Sequence, residues 1–328
     1  MRLSAEQIRD RAALLARRMG ACDLCPRRCG VDRTRGERGF CGSGARAELA
    51  VAVAHFGEEP PISGRRGAGT LFFAGCNLRC VYCQNHQISR LTIPVPEIDT
   101  QALAEEMLRL QRLGCHNIEL VTPTHVLPAI LEAWARAREQ GCDLPLVYNC
   151  GGYESLDLLR LLEGIVDLYL PDLKYADPGA AEALSVAPDY WDVARAAVRE
   201  MLRQVGALSV DAHGIARRGV IVRHLILPND LADSGRVLAF LADCDPRPSI
   251  SLMGQFYPTG DCRHPLLQRG LSEGEYARAC AQLEALGIAA GWVQARSAEA
   301  DYRPDFRRAD PFDCGPNVVT RRLVRESS

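Results

Sequence analysis

The chain has 328 residues, 47% of them hydrophobic and 24% charged, with a formal net charge of −2. A chain of that length buries roughly three quarters of the surface its unfolded form exposes, which excludes a stapled miniprotein. The charge balance gives no overall drive toward nucleic acid or anionic lipid. No apolar run approaches the roughly 20 residues that span a bilayer, and residues 1–20 lack a signal-peptide core, so the expectation is a cytoplasmic protein with no membrane partner.

Two compositional features stand out. Fourteen cysteines argue for metal ligands, because a reducing compartment disfavours disulfides. Among 39 basic side chains the single lysine is Lys174. Where arginine is accepted everywhere else, a lone lysine suggests a site that needs a compact ammonium and excludes a planar fork.

Residues 1–50 read as an N-terminal extension: a helix over Ser4–Met19 with Ser4 as N-cap, then a turn-rich, cysteine-dense segment without apolar period. Cys22, Cys25, Cys29 and Cys41 follow C-x2-C-x3-C-x11-C. Four ligands saturate a metal site, and a metal is the natural source of folding energy for a segment of turns. Zinc and a second iron–sulfur cluster both fit that spacing.

From about residue 69 short apolar strands alternate with helical patterns. The predicted strands are Thr70–Ala74, Ile118–Thr122, Leu146–Cys150, Val166–Leu170, Val220–Leu227 and Ile250–Phe256, with a seventh at Ala290–Val293. Helices fit between them at Gln101–Leu113, Leu127–Gln140, Ser155–Leu162, Asp189–Val205, Ser234–Ala242 and Ser272–Leu286. Such a βαβ series makes a parallel sheet, and six or seven units are too few for a closed eightfold barrel. The expected fold is therefore α/β, a partial (βα)6-type TIM barrel over residues 51–300, with its site at the carboxyl ends of the strands and a loosely attached tail over 301–328.

The loop leaving the first predicted strand, GTLFFAGCNLRCVYCQN, carries Cys76, Cys80 and Cys83 as C-x3-C-x2-C. Three thiolates can hold a [4Fe–4S] cube and leave one iron open to a small molecule. The alternative is zinc, closed by His86 as a fourth ligand. That spacing, with Tyr82 in the aromatic place, resembles the signature of the radical S-adenosylmethionine (SAM) enzymes. The stretches AGCNLRCVYCQN, NIELVTPTH, LYLPDLKYAD, VRHLILP and SLMGQFYP resemble pyruvate formate-lyase activating enzyme-like proteins of the PflX type.

The resemblance implies a radical SAM core in which Cys76, Cys80 and Cys83 hold a [4Fe–4S] cluster whose open iron chelates SAM. Reductive cleavage then yields a 5′-deoxyadenosyl radical that abstracts hydrogen, and the protein positions the cofactor and excludes water. It also implies a flavodoxin- or ferredoxin-like reductant and, by analogy with activating enzymes, a protein or peptide substrate. Small-molecule and nucleic-acid modification are rival activities, the latter motivated by the eleven arginines among the first fifty residues. A nonenzymatic iron–sulfur or zinc electron-transfer or scaffold protein is the rival class.

Around the cofactor the resemblance places Tyr82, and, at strand ends, Thr122 and Thr124 near the methionine amino group. Asn149 follows in YNCGGYE, where two glycines permit close backbone approach. Asp172 and Lys174 lie two apart in PDLK and so point to one side of an extended segment. Arg223 is the expected carboxylate or substrate clamp, while its neighbour His224 faces the other way. Gln255 and Tyr257 end the sixth strand, with Phe256 expected in the core. The other cysteines, at 115, 142, 150, 244, 262, 280 and 314, show no ligand spacing and read as buried thiols.

Overall fold

The computed structural model describes residues 2–259, 262–295, 303–312 and 320–323. In chain order the strands are β1 (Ala47–His55), β2 (Ala68–Phe73), β3 (Glu97–Ile98), β4 (Ile118–Val121), β5 (Leu146–Cys150) and β6 (Leu168–Pro171). They continue as β7 (Ser209–Val210), β8 (Ala216–Leu225), β9 (Ser249–Met253), β10 (Gly291–Gln294) and β11 (Thr320–Leu323). The helices are α1 (Ala5–Arg17), α2 (Pro60–Ser63), α3 (His86–Ser89), α4 (Thr100–Arg112), α5 (Leu127–Glu139), α6 (Leu156–Leu161), α7 (Pro178–Ser185), α8 (Tyr190–Val205), α9 (Ser234–Ala242) and α10 (Glu273–Ala285).

Among the described residues the sheet order is β11-β10-β9-β8-β6-β5-β4-β2-β1-β3, and the strands from β2 to β10 along that path are all parallel. β1 and β11 close the two sides as antiparallel neighbours, and β7 pairs only with β8. The result is an α/β fold with a mostly parallel sheet, consistent with a barrel-like (βα)n core. The predicted elements hold to within a few residues, and several carry their own punctuation. Asp99 caps α4, and Ser272 with Glu275 forms a capping box on α10.

The sheet curls. Side chains from β2, β4, β5, β6, β8, β9 and β10 or from the loops that follow them border one cavity, which a flat sheet does not allow. Below it, Ile62 from α2 plugs an apolar layer made by Ala68, Val147, Leu168, Ile221 and Trp292. Stacked interior layers of this kind make the inside of a barrel a packed core.

Two expected boundaries change. Position 50/51 falls inside β1, and Ile8, Ala12, Leu15, Cys22 and Leu24 belong to the main apolar core, so the segment from residue 2 to β1 packs onto the barrel and shares its core. Arg9 of α1 bridges Glu132 and Glu139 of α5. The tail is not loosely attached throughout: β11 pairs with β10, Phe306 and Phe312 pack against Phe72, and the Phe306 N–H donates to Gln87 Oε1 at 2.7 Å. Sequence periodicity missed both because β1 and β11 take their order from pairing with β2 and β10, and the Phe306–Phe312 turn from Phe72 and Gln87 far back in the chain.

If extension and barrel share one core, Leu15→Ala should lower the thermal midpoint of the whole chain in a single transition, at a cost of about 2–5 kcal/mol. Two transitions, of which only one moves, would show a separate domain.

Candidate active site

The cavity lies at the carboxyl ends of the parallel strands and has a volume of about 220 Å³. Its wall carries an unusual polar layer. Glu119, fully buried in the middle of β4, accepts from Thr70 Oγ1 and Asn149 Nδ2, each at 2.8 Å. Arg223 of β8 forks onto Glu59, with Nε to Oε1 at 2.9 Å and Nη2 to Oε2 at 2.7 Å, and also pairs with Glu58. Burial pushes Glu119 up to about 7, and burial with the charges of Glu119 and Asp172 pushes Glu59 up to about 7 against its ion pair. Burial also drives His55 down to about 4, so it stands neutral in the cavity wall.

Cys76, Cys80 and Cys83 all border this cavity. The loop that carries them is fixed from several sides. Arg27 of the extension donates to the carbonyls of Asn77 (2.8 Å), Ser185 (2.7 Å) and Val186. The Arg90 guanidinium donates to the Cys80 carbonyl at 3.0 Å, and Asn77 Nδ2 to the Tyr153 carbonyl at 2.7 Å. The sulfurs themselves accept hydrogen bonds: Cys80 Sγ from Ser185 Oγ at 3.0 Å, Cys76 Sγ from the Leu78 N–H at 3.3 Å.

Burial, reinforced by Cys80 and Cys83, pushes the Cys76 thiol up to about 12, and Cys83 is raised for the same reasons. Thiols raised in this way stay protonated unless a cationic centre displaces the proton. Soft sulfur donors with no fourth protein ligand suit an iron–sulfur cube with one open iron. His86, the fourth ligand of the zinc alternative, does not border the cavity. Among the described residues no three His, Cys, Asp or Glu side chains converge closely enough for a single metal ion.

Of the residues expected around a cofactor, Tyr82, Thr122, Asn149, Asp172, Lys174 and Arg223 border the cavity. Tyr82 is buried edge-on against Tyr175 and Phe256. Thr122 adopts a left-handed φ of 56°. Asp172 Oδ2 lies 2.5 Å from Lys174 Nζ. Burial works against the Lys174 charge, but Asp172 and Cys80 outweigh it and hold the ammonium protonated. The Tyr190 hydroxyl pins this segment by contacts to the Lys174 N–H and to the carbonyls of Gly151 and Asp172. Gly152 is required beside it: φ is +79°, and a Cβ would stand 2.2 Å from the Asp172 carbonyl oxygen.

Thr124 does not reach the cavity. It is buried and donates to Glu154 Oε1 at 2.8 Å, with Tyr148 hydroxyl 3.2 Å away, because the turn after β4 directs it behind the strand. His224 is likewise a core residue, between the Leu173 carbonyl and Ser234 Oγ. Gln255 borders the cavity, whereas Tyr257 lies outside its lining, under the guanidinium of Arg303. Cys150 lines the cavity as a buried thiol, and Cys314 falls outside the described residues.

Sequence reading missed Glu58, Glu59 and Glu119. An acid within the apolar run NIELV was a usable signal, since a charge in a buried strand has to face a polar partner.

In the extension Cys22, Cys25 and Cys41 are buried, and Cys29 partly so. Burial pushes Cys25 up to about 12, with Glu154, Cys41 and Cys29 adding to it. The surrounding arginines are engaged internally: Arg33 is buried and donates to the Gly44 carbonyl, and Arg38 pairs with Glu48.

Three cysteines beside an ammonium–carboxylate pair, at the carboxyl ends of parallel strands, lie where α/β barrels place their active sites. The sequence pattern of the Radical SAM superfamily matches residues 70–252, over half of the chain, and the chain belongs to that superfamily. The superfamily implies a [4Fe–4S] cluster and SAM. Among curated proteins the chain is similar to the uncharacterized protein MJ0674 of Methanocaldococcus jannaschii, 29% identical over 269 residues that cover 79% of this chain and 72% of that one. It is also similar to MJ0808 of the same organism, 28% identical over 175 residues, 47% of this chain and 49% of that one. Among solved structures, methylornithine synthase (PylB) aligns over 87% of this chain and 74% of its own at 15% identity and a TM-score of 0.43, too loose to carry an argument.

The buried acids set a pH dependence. Glu119, at about 7 in the fold against an ordinary 4.5, keeps its proton longer when folded. Its contribution to stability therefore falls as pH rises through that window. Glu119→Gln should flatten the decline in thermal midpoint between those values and raise the midpoint at pH 8; an unchanged slope would assign the decline to other groups.

Proposed function

We propose that Cys76, Cys80 and Cys83 hold the [4Fe–4S] cluster and that Tyr82, Thr122, Asn149, Asp172, Lys174 and Arg223 surround SAM, in an enzyme of the activating-enzyme-like, PflX-like type that abstracts hydrogen from a protein or peptide. The observation that carries this reading is the common cavity of the three thiols and the Asp172–Lys174 pair. When bound, cluster and SAM together supply a 5′-deoxyadenosyl radical after one-electron reduction. The chain's own residues do the rest. Lys174 offers a compact positive charge to a carboxylate or ribose oxygen, and Asp172 fixes its direction at 2.5 Å. Tyr82, Phe256 and Leu78 give an apolar surface that excludes water beside the thiols. Ser185 and the Leu78 N–H donate to sulfur and so moderate its charge.

The quartet Cys22, Cys25, Cys29 and Cys41 is proposed to hold a second centre, a [4Fe–4S] cluster or zinc. Its neighbour Arg27 is bonded to the cysteine loop, so such a centre would brace that loop. A flavodoxin- or ferredoxin-like donor is the proposed reductant. A nonenzymatic electron carrier remains the second reading, and what disfavours it is a lysine–carboxylate pair held beside the open side of the thiols, for which a carrier has no use.

The deciding experiment is anaerobic reconstitution followed by SAM and a strong reductant. 5′-Deoxyadenosine should form, and Cys76→Ala, Cys80→Ala and Cys83→Ala should each abolish it; its absence from fully iron-loaded protein would favour the carrier. Lys174→Arg should weaken SAM binding without lowering the thermal midpoint, and unchanged binding would detach that residue from the cofactor.

A further inference from the structure

A ladder of three glutamines crosses the cavity wall, and its chemical polarity is fixed at one end. Gln84 Nε2 donates to the main-chain carbonyl of Gln255 at 3.2 Å, and a carbonyl only accepts. Gln84 must then turn its oxygen to Gln255, whose Nε2 donates to it at 3.0 Å. The Gln255 oxygen in turn accepts from Gln294 Nε2 at 2.6 Å. Gln294 is left with its carboxamide oxygen, which is buried and meets no donor among the described residues. The cavity is the open space this side chain borders. A buried acceptor without a partner loses the hydrogen bonds water gave it, so the ladder ends in a group that awaits a donor.

The charged groups of the same wall point the same way. Glu58 and Glu59 share Arg223, and Lys174 is taken by Asp172, so the cationic donors are engaged while carboxylate oxygen is in excess. Register relates the two parts. Arg223 is level with Ser251 and Ser251 with Trp292, which puts Gln294 two residues, roughly 7 Å, further toward the mouth on the same strand face.

Glu58, Glu59, Gln255 and Gln294 all lie outside residues 70–252, the part of the chain shared with the superfamily. SAM is common to that superfamily, so groups outside the shared part are free to differ with the substrate. We propose that the substrate of this enzyme presents a protonated amine or a guanidinium to the cavity, with Gln294 Oε1 as a specificity-determining acceptor and Glu58 and Glu59 supplying the opposing charge. This rests on the reading of the chain as a SAM-cleaving enzyme and names the chemical class of its substrate.

The test uses the iron-loaded full chain with SAM and four probes of like size, n-butylammonium, n-butylguanidinium, n-butyramide and n-butyrate, with binding followed by calorimetry. Both cations should bind roughly tenfold or more tightly than the neutral and anionic probes, and Gln294→Leu should reduce cation affinity by about tenfold. If Gln294→Leu fails to load iron, Glu58→Gln, nearly isosteric and still able to meet Arg223, should weaken the cations by a similar factor. Equal or tighter binding of n-butyrate, no binding of either cation, or cation affinity unmoved by the variant that loads iron would overturn the proposal. The same preparation is assayed for 5′-deoxyadenosine: product without cation preference removes this inference alone, whereas absence of product removes the reading beneath it.

Discussion

Three cysteine sulfurs gathered in one eight-residue loop, Cys80 buried and Cys76 and Cys83 partly so, repel one another as thiolates, and burial raises the Cys76 and Cys83 thiols. That constraint organises the molecule. The proposed cluster would resolve it, and the loop is held in place by groups outside the three cysteines. Arg27 from the extension, Arg90 from beyond α3, Ser185 from α7 and Tyr153 from the loop after β5 all reach into it. Residues far apart in the chain therefore converge on one short segment.

The extension and the Phe306–Phe312 turn make sense in this light. Both lie outside the βα series, yet each packs against a wall of the cavity, the former through Arg27 and Leu24 and the latter through Phe312 against His55 and Phe72. Contacts to carbonyls and carboxylates engage Arg27, Arg33 and Arg38, which offers a structural account of part of the arginine-rich start.

Inside the barrel the apolar floor and the polar layer above it divide the labour. The floor of Ile62, Leu168, Ile221 and Trp292 supplies packing. Glu119, Asn149, Thr70, Arg223 and Glu59 form a layer in which nearly every charge has a partner, as burial requires. Fixing these groups in advance lets the cavity present oriented acceptors without reorganisation when a ligand arrives.

Local chemistry along the chain was enough to determine the parallel βα series, its helix caps and the three-cysteine loop, because period, punctuation and ligand spacing are short-range properties. It also singled out Lys174 and the Asp172 beside it. What only tertiary structure decided was which strand-end residues look inward: Thr122 does and Thr124 does not, although they stand two apart, because a left-handed turn at Thr122 breaks the alternation that sequence reading assumes. The pairing of Arg223 with Glu58 and Glu59, the glutamine ladder and the inclusion of both chain ends were equally out of reach. Arg9 meets Glu139 at a separation of 130 positions, Arg223 meets Glu59 at 164 and Phe306 meets Gln87 at 219, while the ladder ends on a buried acceptor, and no local pattern encodes these.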